Sequence, residues 1–306
     1  MMLACIIHTT FSMDIPVEQP KTIVMRIPGG NGYGGKDVKT IFPFCQKKNI
    51  IKVVNPTDFN VDLGQSKCLE RIQDGLDFIK DPTYNLIAYA TSLGTASTIN
   101  FAGKNPTRFQ ALILQAVMIS ANNTISYHAS KDLPITRHIP LRDYILPYVA
   151  KYMYPFYSPA GDQPIFSIQK IPHKVPIIIV HSKTDGQLPF EYATALYAGL
   201  KAQGHDKVYL LPVTSKNWNH HFDLIEDGDT EIDVITTILA QNGLCNSPQN
   251  HTDIDLTFYQ PEPEEKWLTY FYDQINTENN IRYFDKGLKT TLCSLAAYLL
   301  YSYLTQ

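Results

Sequence analysis

Charge is what this sequence has least of. Asp, Glu, Lys and Arg make up 18% of its 306 residues, against about 25% in an average globular domain. The 26 basic side chains are outnumbered by 29 acidic ones, so the basic footprint of a nucleic-acid binder is missing. Cysteine is sparse as well. Five are scattered at positions 5, 45, 68, 245 and 293 with no C-x-x-C pair, which argues against a disulfide framework and a zinc ribbon. No apolar run reaches the roughly 20 residues that span a bilayer; the longest uncharged segment, 290–306 (TTLCSLAAYLLYSYLTQ), falls short. No basic residue precedes Lys21, so the apolar run at 2–7 lacks the positive flank of a signal peptide. A cytoplasmic location is the resulting default.

What is present is apolar and aromatic. Hydrophobic residues reach 44%, enough for a sizeable core, and the 19 tyrosines outnumber the 16 glycines. At about 150 residues per domain the length allows one large α/β domain or two ordinary ones. Short β-branched and aliphatic runs alternate with stretches of helical spacing, the pattern of a mostly parallel α/β sheet with helices on both faces. Expected strands are 22–27, 49–54, 85–89, 111–115, 175–180 and 208–211, with helices at 65–80, 94–103, 190–203 and 230–241. Two regions break the alternation. Residues 121–171 contain several prolines, no clear strand and a dense tyrosine set. A stretch this long is expected to be a lid or binding element. Beyond Cys245 a polar stretch leads to Pro261-Glu-Pro-Glu-Glu265, a solvated spacer, and a tyrosine-rich tail. The expected organisation is one domain over 1–245 with a cap inserted at about 121–171, then a C-terminal extension over 246–306 with helices.

Chemistry concentrates at strand ends. NLIAYATSLGTASTINFA, 85–102, runs a strand into Ala90-Thr-Ser92-Leu-Gly94 and then a helix. This is G-x-S-x-G with Ala first, the small-residue pattern of a serine held on a sharp strand-to-helix turn; the plainer reading is a helix N-terminus capped by Thr91 or Ser92. After the strand at 175–180 comes His181-Ser-Lys-Thr-Asp185, and after 208–211 comes Asn219-His220-His221-Phe-Asp. Ser, Asp, His is the chain order of an α/β-hydrolase triad, and each lies beyond the carboxyl end of a strand, where ligands collect in open α/β sheets.

SLGTA, VPIIIVHSKTDGQLPF and HHFDLI together resemble the α/β-hydrolase superfamily, in particular its esterase-like and peptidase-like branch with an S-L-G-T-A nucleophile elbow. The likeness runs over about residues 20–243 and leaves the insertion and the tail uncovered. It implies a serine hydrolase for an ester, thioester or amide, with Ser92 as nucleophile, Asp185 as orienting acid and His221 as base, His220 being the alternative. It also implies an oxyanion hole from the N–H of Leu93 and of Gly30 or Asn31, in the glycine loop Pro28-Gly-Gly-Asn-Gly-Tyr-Gly-Gly35. No metal or organic cofactor is called for. The insertion is expected to cap a pocket for a small or lipid-like acyl group with Tyr144, Tyr148, Tyr152 and Tyr154, and the tail to allow peripheral membrane or protein contact. Ala90 and the missing His before the glycine pair leave a second reading, the fold kept as a binding or interaction protein without catalysis.

Rival readings of the glycine loop are weaker. Gly30-x-Gly32-x-x-Gly35 followed by Asp58 matches a dinucleotide fingerprint, but Pro43 interrupts the helix that should follow. As a phosphate loop it has Asp37 where Ser or Thr should bind magnesium.

Overall fold

The structure, a computed structural model, describes residues 21–29, 50–52, 62–77, 79, 83–138, 141–214, 229–246 and 254–304. Gly30, Asn31, His220, His221, Gly32, Gly35 and Asp58 lie outside them. Six strands are described: β1 (Thr22–Ile27), β2 (Ile50–Lys52), β3 (Asn85–Thr91), β4 (Ala111–Gln115), β5 (Ile177–Ser182) and β6 (Val208–Val213). They form one sheet in the order β2-β1-β3-β4-β5-β6, and every neighbouring pair is parallel. Strand β5 starts at Ile177 rather than 175, because Pro176 has no N–H to give to a ladder, and it runs on through His181 and Ser182.

The helices are α1 (Ser66–Asp77), α2 (Leu93–Lys104), α3 (Ala121–Asp132), α4 (Arg142–Met153), the single turn α5 (Pro164–Ser167), α6 (Phe190–Ala202), α7 (Asp229–Gln241) and α8 (Glu265–Leu304). Side-chain alternation along the strands sorts the interior into two layers. Ile23, Met25, Ala88, Leu112, Leu114, Ile177 and Ile179 pack with α1, α2 and α6. Val24, Ile87, Tyr89, Ile113, Ile178 and Leu211 pack on the other face with Ile235, Ile238 and Leu239 of α7. A strand with both faces covered has to be apolar throughout, and that is what made these runs visible in the sequence. Helix α2 is buried from Leu93 to Gly103 and is built of small and apolar residues on all sides, as a fully enclosed helix must be.

The insertion holds α3, α4, α5 and a short 3₁₀ turn at Pro134–His138. Helix α8 spans 40 residues, about 60 Å at 1.5 Å per residue, and packs across α6 and the insertion. Phe271 is fully buried against Gly199 of α6, where an added Cβ would stand 2.6 Å from its ring. Asn123 of α3 donates to Tyr270 Oη at 3.2 Å and to Gln274 Oε1 at 2.5 Å. The Arg282 guanidinium lies 4.0 Å above the Phe166 ring. Glu278 is buried. Its carboxylate accepts from Ser120 Oγ and, at 2.6 Å, from Asn122 Nδ2. Burial pushes its pKa up to about 7, against the opposing pull of Ser120, Asn122 and Arg282. Among the described residues, no helix is long and apolar enough to cross a membrane.

Candidate active site

The sheet order places a crossing point. From β1 the chain moves outward to β2, then returns to the other side of β1 for β3 and continues to β4, β5 and β6. The connections above β1 and β3 therefore diverge, and the crevice at their carboxyl ends is the topological switch point of an open α/β sheet. Ser92 follows β3 and Gly29 follows β1, one on each side of that crevice.

Ser92 turns the chain from β3 into α2 with φ 54° and ψ −124°, a backbone state that side-chain-bearing residues adopt only when their surroundings enforce it. The enforcement is local. Ser92 N–H donates to Gln115 O at 2.9 Å, and Ser92 O accepts from Thr95 N at 2.8 Å and Thr95 Oγ1 at 2.6 Å. Thr95 Oγ1 in turn accepts from Met118 N at 3.0 Å, tying the end of β4 to the start of α2. The Ser92 side chain makes no capping hydrogen bond to α2, so the capping reading of this serine does not hold, and Ser92 is partly exposed.

Small neighbours are required by contact. A Cβ on Gly94 would fall 2.4 Å from Ile27 O and 2.5 Å from Pro28 O. One on Gly29 would fall 2.9 Å from Ser92 Cβ and 3.6 Å from Ser92 Oγ. Ala90, at the position where the motif has glycine, is buried in register with Ile27 of β1 and has room for its methyl. Leu93 opens α2, and a first-turn N–H has no acceptor within its own helix.

Asp185 follows β5 in the turn before α6. Its Oδ1 accepts from the N–H of Gln187 at 2.8 Å and of Leu188 at 2.9 Å, and its side chain is fully enclosed. Oδ2 lies 3.6 Å from His181 Nε2, outside hydrogen-bond reach. His181 is itself buried within β5. Its Nδ1 accepts from Val117 N at 3.2 Å, which leaves the proton on Nε2, directed to Leu188 O at 3.0 Å. A histidine held this way positions the ends of β4 and β5. Lys131 at the end of α3 donates to Gly186 O, and the Asp185 and Glu191 carboxylates, after burial, raise the Tyr127 pKa, so α3 lies along the Asp185 turn.

The four tyrosines expected in a cap have separate surroundings. The Tyr144 hydroxyl accepts from Asn280 Nδ2 at 3.3 Å, Tyr148 meets Phe284 edge-on at 5.6 Å, Tyr154 packs on the main core, and Tyr152 is 92% exposed. Gly29, Thr95 and His181 were not among the expected site residues. Gly29 had a signal in the glycine loop itself, but the roles of Thr95 and His181 depend on β4, which is distant in sequence.

No protein-family model and no curated protein sequence matches the chain. Solved structures similar to it include an acylaminoacyl peptidase of Pyrococcus horikoshii (TM-score 0.46, 14% identity, over 77% of this chain and 39% of that one). An esterase of Pyrococcus furiosus is similar with a TM-score of 0.49 at 13% identity, over 72% of this chain and 82% of that one. A butyrate-bound thermophilic esterase of Thermogutta terrifontis is similar with a TM-score of 0.49 at 15% identity, over 75% and 87%. This chain thus spans 39% of the length of the peptidase. The α/β class rests on the six-stranded parallel sheet itself, covered by helices on both faces.

Proposed function

We propose that the chain is a serine hydrolase of the α/β-hydrolase type, acting on a carboxylic ester, thioester or amide. The observation that carries this is Ser92. It is a serine with no capping role, held in a rare backbone state at the switch point of a parallel sheet, with the backbone of Gly29 pressed against it. In this reading Ser92 Oγ attacks the acyl carbonyl while His221 takes its proton. The imidazolium then protonates the leaving group, and water reverses both steps to release the acid.

Asp185 orients the imidazole and stabilises its cation. Support comes from the two backbone N–H groups that hold Oδ1 and fix the carboxylate's rotamer before any substrate arrives. The oxyanion is held by Leu93 N–H and by Gly30 or Asn31 N–H, each donor contributing roughly 2.7–4 kcal/mol to the transition state. Support for this pair comes from Leu93 at the first turn of α2 and from the close approach to Ser92 of Gly29, one or two residues before that second donor. The acyl group is small or lipid-like, taken under the insertion.

The test is labelling with a fluorophosphonate probe, with the modified residue identified by mass spectrometry, beside turnover of p-nitrophenyl esters of increasing acyl length. Wild type is expected to label at Ser92, and Ser92→Ala to lose both labelling and turnover. A folded wild type that neither labels nor turns over any ester would move the chain to the non-catalytic binding reading.

A further inference from the structure

A cavity of about 380 Å³ lies between α3, α4 and α8, at the low end of the roughly 300–1,000 Å³ found for small-molecule sites. It shares no residue with the Ser92 turn or the Asp185 turn. Its wall carries two ionised groups, and they neutralise each other: Arg142 Nε meets Asp143 Oδ1 at 2.8 Å, while Arg142 Nη1 donates to Ser130 Oγ at 2.8 Å. The rest of the polar lining is uncharged. Ser126 is the telling member. It is 3% exposed, lines the cavity, and its hydroxyl has no hydrogen-bond partner among the described residues. A buried hydroxyl without a partner costs on the order of 1–3 kcal/mol, and a turn about its Cα–Cβ bond toward the cavity would let a ligand supply one. Thr277 and Gln274 add a hydroxyl and an amide from α8, and Tyr127 and Tyr270 add phenols on two sides.

We propose that this cavity is a binding site for a neutral polyhydroxylated ligand, a mono- or disaccharide. The balanced Arg142–Asp143 pair leaves the lining itself without net charge, and the Asp185 and Glu191 carboxylates that act on Tyr127, with Glu191 also acting on Tyr270, lie outside it and disfavour an anion. Hydroxyls that both donate and accept, such as those of Ser126 and Thr277, match sugar hydroxyls, which do the same. Tyrosine offers an apolar ring beside a polar tip, suited to a ring with C–H faces and hydroxyl edges. The lining is also preformed. Asn123 is held by Tyr270, Gln274 and Tyr192, and Asn122 by Pro159 O and Glu278, so ligand binding needs little side-chain ordering.

The experiment is isothermal titration, with saturation-transfer NMR, of the full chain against glucose, xylose, N-acetylglucosamine and cellobiose, with inorganic phosphate and a blocked neutral dipeptide alongside. Saturable binding of at least one sugar is expected, weakened at least tenfold by Ser126→Leu, which fills the cavity, and unchanged by Ser92→Ala. Circular dichroism melts check folding, and Thr277→Leu, from the α8 side, carries the test if Ser126→Leu does not fold. The proposal is overturned if none of the sugars binds, if phosphate or the dipeptide binds more tightly than every sugar, or if a folded Ser126→Leu or Thr277→Leu binds sugar like wild type. Because Ser92→Ala retains the cavity, these results are independent of whether the chain is a hydrolase.

Discussion

Ser92 sits at φ 54° because the two ends of its turn are both tied down, one to β4 through Gln115 O and the other to Thr95. Such a state costs a residue with a Cβ about 1–3 kcal/mol, and glycine escapes most of that cost. Ser92→Gly is therefore expected to be more stable than Ser92→Ala by about 1–2 kcal/mol in urea unfolding. Both variants lack the hydroxyl, so the difference isolates the backbone; equal midpoints would mean that the turn stores no strain. Glu278 is a second residue held away from its preference. Its carboxyl, ordinarily near 4.5, is raised to about 7 by burial. Between those values the native chain holds a proton that the unfolded chain has lost, so stability falls as pH rises through that window. The loss is on the order of 3 kcal/mol. Glu278→Gln is expected to remove this contribution, read as the difference between its urea-unfolding pH profile and that of wild type from pH 4.5 to 7.5.

At the scale of elements, α8 depends on one aromatic anchor. Phe271 is fully buried in the core shared with β4, β5 and α6, and Gly199 is the gap that admits its ring. Phe271→Ala is expected to cost about 3–5 kcal/mol and to release α8, seen as faster amide exchange over 265–291 before the sheet exchanges. The same element marks where sequence reading stops. Helices α2, α6 and α7 were expected within one or two residues of where they lie, because small residues, turn glycines and apolar runs bound them locally. Helix α8 carries tyrosines and charges around its circumference and has no single apolar stripe, so its 40-residue continuity was not visible. What orders its first half is contact with α6 and the insertion.

For the molecule as a whole, two buried titratable groups on separate elements oppose each other. His205, at the turn before β6, is 1% exposed, and neither ring nitrogen has a hydrogen-bond partner among the described residues. Its ring lies 4.3 Å from that of His173. Burial foremost, and then the His173 charge, lower its pKa from 6.5 to about 4, with Asp206 acting the other way. The unfolded chain then binds the extra proton between pH 4 and 6.5, so this contribution is present above 6.5 and is lost as pH falls. Glu278 loses stability as pH rises over most of the same range. The two slopes largely cancel in wild type between about pH 4.5 and 6.5. Glu278→Gln is expected to show stability rising with pH there, and His205→Phe to show it falling; parallel curves for the two variants would rule this balance out.

The sequence by itself determined the α/β class, the strand positions and the Ser92 turn. These depend on contacts within a few residues: apolar runs buried on both faces, and small residues where backbone meets backbone. Only the tertiary structure decided that β1 and β3 flank the crossing point, that Thr95 and His181 lock the ends of β4 and β5, and that α3, α4 and α8 line a polar cavity. Those features join residues from 23 positions apart (Thr95 and Met118) to 158 (Ser120 and Glu278). No periodicity or motif encodes such pairings, because they exist only once the helices have been packed against one another and the sheet. The scarcity of charge has the same division. Its amount is plain in the composition, but that the buried acid Glu278 joins the tail helix to the insertion is a property of the packed molecule.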